Sequence, residues 1–145
     1  MDKRLKMIKL HLFGGSAYFL IAGMLHYSGT KWVGFYIFFD LPSQAYQDRL
    51  IAVLALGWAA MYALAAVDPL KYFDLTWMLV LIGGAGLLGT AGNVLLTDFN
   101  RFSDTGGTWP YWVQIFGLVF YILVLGLMNW SLARVRTPIL TTRDS

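Results

Sequence analysis

Residues 75–97 read LTWMLVLIGGAGLLGTAGNVLLT, a run of 23 residues without one ionisable side chain, closed by Asp74 and Asp98. A helix needs about 20 predominantly apolar residues to cross the hydrocarbon core of a bilayer. Three further runs lack Asp, Glu, Lys and Arg. Residues 10–30, between Lys9 and Lys31, number 21; residues 50–67, between Arg49 and Asp68, number 18; residues 105–133, between Asp104 and Arg134, number 29. Backbone polar groups in lipid must be satisfied within the protein, so the runs predict α-helices. A β-barrel would alternate polar and apolar residues in strands of about ten, and no such alternation is present.

The reading is therefore an all-α integral membrane protein of one domain, residues 1–145, with four transmembrane helices in an up-down bundle. The expected spans are Leu10–Tyr27, Leu50–Val67, Leu75–Leu96 and Tyr111–Leu132, with Pro69 and Pro110 at span ends, where a missing N–H does least harm. Composition agrees: 58% of the 145 residues are hydrophobic and 13% charged, against roughly a quarter charged in soluble domains. The chain has no cysteine, which excludes disulfides, thiolate metal sites and a thiol nucleophile. All eight acids are aspartates.

Lysine and arginine set the expected orientation. Lys3, Arg4, Lys6, Lys9, Lys71, Arg134, Arg136 and Arg143 fall on one side of a four-pass chain. Lys31, Arg49 and Arg101 fall on the other, set against Asp40, Asp48, Asp98 and Asp104. Both termini are expected in the cytoplasm, and the membrane expected is a bacterial inner membrane. The first loop, about Ser28 to Asp48, then lies outside. Its Trp32, Phe35, Tyr36, Phe38, Phe39 and Tyr46 suit a short helix lying on the membrane or a cap across the bundle mouth. The third loop, Thr97 to Pro110, is polar, carries Gly106 and Gly107, and is expected to be a mobile turn. Asp68 and Pro69 predict a tight turn that makes helices two and three an antiparallel hairpin.

In lipid, helices associate through small residues that allow close approach. Ala52, Ala55, Ala59, Ala63 and Ala66 form such a stripe on helix two. Gly83, Gly86 and Thr90, with Ala85, Gly89 and Asn93 beside them, do so on helix three. Helix one offers Gly15, Ala22 and His26, and helix four Gln114, Gly117, Tyr121 and Met128. Thr90, Asn93, Gln114, Tyr121 and Asn129 are expected to make interhelical hydrogen bonds.

Chemistry is sparse. No Asp, Glu, Lys or Arg falls inside the expected spans, which argues against an ion-coupled transporter. His11 and His26 are 15 residues apart, about 22 Å along a helix, too far to grip one metal or haem together. The cluster His26, Asp40, Asp48, Arg49, Asp98, Arg101 and Asp104 has no diagnostic ligand spacing, so no metal site and no catalytic residue is assigned. Arg49 is expected to pair with Asp48 or Asp98, or to hold a lipid phosphate or quinone carbonyl by its forked donors. P-loop, dinucleotide and nucleophile-elbow patterns are absent. The few basic residues suit anionic lipid rather than nucleic acid.

From Arg49 through GWAAMYALAAVDPLKYFDLTWMLVLIGGAG to Gly89, the chain resembles small four-helix bacterial membrane proteins of the DoxX-like and BphX-like kind: a small-residue helix, an Asp-Pro turn and a glycine-bearing third helix. The resemblance implies a compact inner-membrane protein, often an accessory to a larger system, and implies no catalytic residue.

Two functions follow as expectations. The first is a non-catalytic structural or accessory subunit, packing by Ala55, Ala59, Ala63, Gly83, Gly86, Gly89, Asn93 and Gly117 against other membrane subunits or a second copy. It has no cofactor of its own, but contacts lipid, quinone or a partner's pigment or haem. The alternative is a binding protein for a lipid, quinone or other apolar ligand at the outer end of the bundle, at His26, Trp32, Tyr46 and Arg49. An enzyme using His26 and external aspartates is the weakest of the readings.

Overall fold

The structure, a computed structural model, describes residues 3–35, 37–101 and 107–141, with the side chains of residue 100 and of residues 135–141 left aside. Regular structure among them is helical: α1 (Lys3–Ser28), α2 (Ala45–Val67), α3 (Phe73–Leu96), a 3-10 turn (Phe99–Arg101) and α4 (Trp109–Thr141). All four helices are long and apolar enough to cross a membrane, α4 over Trp109–Arg134. At 1.5 Å per residue even α2, with 23 residues, is about 34 Å long.

The helices begin earlier than the expected spans. α1 starts at Lys3 rather than Leu10, because Lys and Arg are good helix formers whose long stems let the charge reach water. α2 starts at Ala45 rather than Leu50, after an extended Gln44, and so includes Asp48 and Arg49. Asp48 sits in the first turn, where the helix dipole favours a negative charge. α4 starts at Trp109, with Pro110 in its first turn, a position that needs no N–H donor. Between α2 and α3, Asp68 Oδ1 accepts hydrogen bonds from the N–H groups of Leu70 (3.2 Å) and Lys71 (3.1 Å), which closes the turn.

α1 and α2 run in opposite directions and are joined at both ends and the middle. Lys9 Nζ donates to Val67 O at 2.7 Å, Ser16 Oγ to Ala59 O at 2.9 Å, and His26 meets Asp48. Close approach depends on small residues. A Cβ on Gly23 would stand 3.2 Å from Ala52 O, and Ala52, Ala55, Ala59 and Ala66 are buried. α4 fastens to α1 by a reciprocal pair: Tyr121 Oη donates to His11 O at 2.8 Å, and His11 Nε2 donates to Tyr121 O at 3.1 Å, the rings stacked 4.1 Å apart. α3 meets α4 where Asn129 Nδ2 donates to Phe73 O at 3.2 Å, and where Gly83 admits Ile122.

The expected hairpin is loose. Although a tight turn joins them, α2 and α3 touch far less than α1 touches α2 or α3 touches α4. Two packed regions result. One gathers Ile8, Leu12, Tyr62, Ala65, Ala66, Leu79, Leu125 and Leu132 from all four helices. The other gathers Val94, Phe99, Tyr111 and Ile115 under Phe38, Phe39 and Leu41. Large apolar residues such as Leu54, Leu81, Leu88, Phe116, Phe120 and Leu127 cover the outside, as lipid contact requires.

Phe99 is buried against Tyr111, with ring centroids 4.7 Å apart, so the part of the third loop beside it is packed rather than mobile; Gly106 lies outside the described residues. Tyr121 and Asn129 make interhelical hydrogen bonds. Thr90 instead donates to Gly86 O of its own helix, Asn93 is exposed, and the buried amide of Gln114 finds no partner among the described residues.

Candidate functional site

The four helices line a half-open cavity of about 950 Å³. α1 contributes Tyr18, Phe19, Ala22 and His26; α2 contributes Asp48, Ile51, Ala55, Trp58 and Tyr62. Gly83, Gly86, Leu87 and Thr90 come from α3, and Gly117, Leu118, Tyr121 and Ile122 from α4. The segment between α1 and α2 closes one end with Phe35, Ile37, Phe38, Leu41, Pro42 and Ser43. Its described residues form no helix. Lys31 ties the segment to itself through Leu41 O.

The cavity exists because small residues stand where the helices would otherwise meet. Nothing lies within 4 Å of where a Cβ would be on Gly86 or Gly117. These two glycines, read from the sequence as packing positions, line open space.

Rings follow one another along α1 and α2. Phe35 stacks on Tyr18 (5.4 Å between centroids), Tyr18 meets Phe19 edge-on (5.5 Å), and Phe19 stacks on Trp58 (5.6 Å) and Tyr62 (5.5 Å). Tyr62 leads to Tyr121 at 6.2 Å.

The polar end is a short chain of hydrogen bonds. Asp48 is buried; its Oδ1 accepts from His26 Nδ1 at 3.3 Å and its Oδ2 from Ser43 Oγ at 2.5 Å. This corrects the expected pairing of Arg49. Consecutive helical residues point about 100° apart, so Asp48 faces inward while Arg49 is exposed. Asp98 pairs with Arg101 at 3.2 Å. Of the seven residues in the expected polar cluster, the structure thus joins His26 to Asp48 and Asp98 to Arg101; Asp104 lies outside the described residues. Among the described residues no three His, Asp or Glu side chains converge as a metal site would require.

Of the expected ligand-binding residues, His26 lines the cavity. Trp32, Tyr46 and Arg49 are exposed and do not line it, although Trp32 touches Phe35 (5.8 Å). Sequence reasoning missed Tyr18, Phe19, Trp58 and Tyr62, and placed Asp48 in the polar cluster but not among the ligand-binding residues. The signal for them was present: Gly15, Tyr18, Phe19, Ala22 and His26 recur at helical spacing, and so do Asp48, Ala52, Ala55, Ala59 and Tyr62. No protein-family model, no curated protein and no solved structure matches the chain.

Proposed function

We propose that this protein binds a small apolar or amphipathic molecule, of the lipid, quinone or similar class, inside a four-helix membrane bundle. The observation that carries the proposal is the cavity, whose 950 Å³ is at the upper end of the range for drug-sized ligands. Its wall is aromatic and aliphatic, with one polar group of His26, Asp48 and Ser43 at an end; that is the usual pattern of a small-molecule site. The bundle belongs to the proposal in an up-and-down form, in a bacterial inner membrane, with both termini cytoplasmic and the aromatic segment capping the outer mouth. The lysine and arginine distribution supports that orientation. The likeness to DoxX-like and BphX-like proteins is part of the same reading and supplies a frame without residue roles.

A second reading, an accessory subunit of a larger assembly, draws on α3. Gly89 is exposed, with nothing within 4 Å of where its Cβ would be, and leaves a small-residue surface open to a neighbouring helix. Native mass spectrometry after extraction in mild detergent separates the two. The binding reading expects a retained small molecule that Gly86→Phe and Gly117→Phe both lose, because each ring grows into the cavity. An unliganded chain with the same mass balance in parent and variants contradicts it, and a co-purifying polypeptide supports the accessory reading.

A further inference from the structure

We infer that the cavity selects lipophilic monocations, held by the Asp48 carboxylate and the ring wall of Tyr18, Phe19, Phe35, Trp58 and Tyr62. The inference rests on the binding reading above and adds the charge of the ligand to it.

Among the described residues the cavity lining contains one carboxylate and no lysine or arginine. A carboxylate in an apolar enclosure is costly unless its charge is compensated. Among the described residues Asp48 has two hydrogen-bond partners, and both are donors: the His26 imidazole N–H and the Ser43 hydroxyl. A carboxylate offers about four lone-pair positions. Two hydrogen bonds from neutral groups therefore leave it short of partners and leave its charge in place. A cation entering the cavity supplies both.

Ser43 gives its proton to Oδ2 and His26 gives Nδ1–H to Oδ1, and the carboxylate itself only accepts. A phosphate or a carboxylate brings a second negative charge to this place and is repelled. The rest of the wall agrees with a cation. Tyrosine, tryptophan and phenylalanine faces attract positive charge electrostatically, and more strongly when water is excluded. The ring row from Phe35 through Tyr18 and Phe19 to Trp58 passes along the cavity that Asp48 caps. A delocalised aromatic or alkyl cation uses both features, whereas a hydrated metal ion uses neither the volume nor the rings.

The test is equilibrium dialysis of the full chain in a neutral maltoside detergent at pH 8, where an ordinary imidazole is uncharged. Three labelled probes of similar bulk are compared: tetraphenylphosphonium, tetraphenylborate and uncharged triphenylmethane. The Gly86→Phe/Gly117→Phe protein, its cavity narrowed by two rings, serves as the blank for partition into micelles. The expected result is saturable binding of the phosphonium and none of the borate. Asp48→Asn weakens phosphonium binding about 10-fold or more, since an attraction at low dielectric is removed, and Asp48→Glu retains it. Triphenylmethane binding is unchanged by Asp48→Asn. Equal binding of the phosphonium and the borate overturns the inference, and so does an unchanged phosphonium affinity in Asp48→Asn. If triphenylmethane still binds above the blank, the binding reading survives that result; if no probe exceeds the blank, both fail. Should Asp48→Asn not fold, the ratio of cation to anion binding in the parent chain decides alone.

Discussion

Gly15→Val is expected to be among the most damaging single substitutions in the chain, while Gly14→Val, one residue earlier, is expected to be nearly silent. A Cβ on Gly15 would stand 2.3 Å from Tyr121 Oη and 2.7 Å from Tyr62 Cδ1, closer than non-bonded atoms allow. Neither ring moves freely. Tyr121 is held by its hydrogen bond to His11 O and by the stacked His11 ring, and Tyr62 is buried among α1, α2 and α4. Overpacking of this kind costs about 1–3 kcal/mol, and here it also breaks the reciprocal His11–Tyr121 connection. Gly14 has nothing within 4 Å of the same point, and valine is no worse than glycine in a helix interior. Unfolding in mixed maltoside and dodecyl sulfate micelles, followed by circular dichroism, measures the pair. Equal stability of the two variants would show that α1 does not sit against Tyr62 and Tyr121 as described.

His26→Leu is expected to destabilise the fold more than Asp48→Leu does, and the double substitution to cost less than His26→Leu alone. Removing His26 leaves the Asp48 carboxylate with Ser43 as its one remaining donor among the described residues, in a site where the His26 and Asp48 side chains are only 13% exposed. Loss of one partner from a buried pair costs about 3–5 kcal/mol, because an uncompensated charge stays behind. Removing Asp48 instead strands an uncharged imidazole N–H, for about 1–3 kcal/mol. Replacing both groups by leucine removes the charge and the donor together and restores apolar packing, which is nearly neutral in comparable cases. The same unfolding assay supplies all four corners of the cycle. Additive effects would mean that the two side chains do not interact.

Helix number was legible because the cost of charge in lipid is large and local: four long uncharged runs specify four apolar helices. Helix ends were not, because the same marks were taken as boundaries. A charged residue can belong to the helix it borders, and Asp48 does. Continuing the stripe of Ala66, Ala59, Ala55 and Ala52 back by one turn reaches Asp48, so its inward direction was written in the spacing. The cavity was harder to see. Gly83 and Gly86 lie on one stripe of α3, yet Gly83 admits Ile122 whereas Gly86 faces open space. Small residues permit close approach without enforcing it, and only the splay of α2 from α3 decides which glycine packs. The exposed Trp32, Tyr46 and Arg49 were chosen for residue type near the bundle mouth. Their direction depends on the irregular backbone between α1 and α2, which has no periodicity to read.

The account stands on four passages through a bilayer with both tails on one face. The absence of cysteine from the chain makes that directly measurable. Single cysteines at Lys6, Lys31 and Arg134, in cells and in inverted membrane vesicles, are offered a maleimide that cannot cross lipid. Lys6→Cys and Arg134→Cys are expected to react from the cytoplasmic face alone and Lys31→Cys from the opposite face alone. Reaction of Lys6→Cys and Arg134→Cys from opposite faces would contradict the four-pass architecture, and with it the cavity between the four helices.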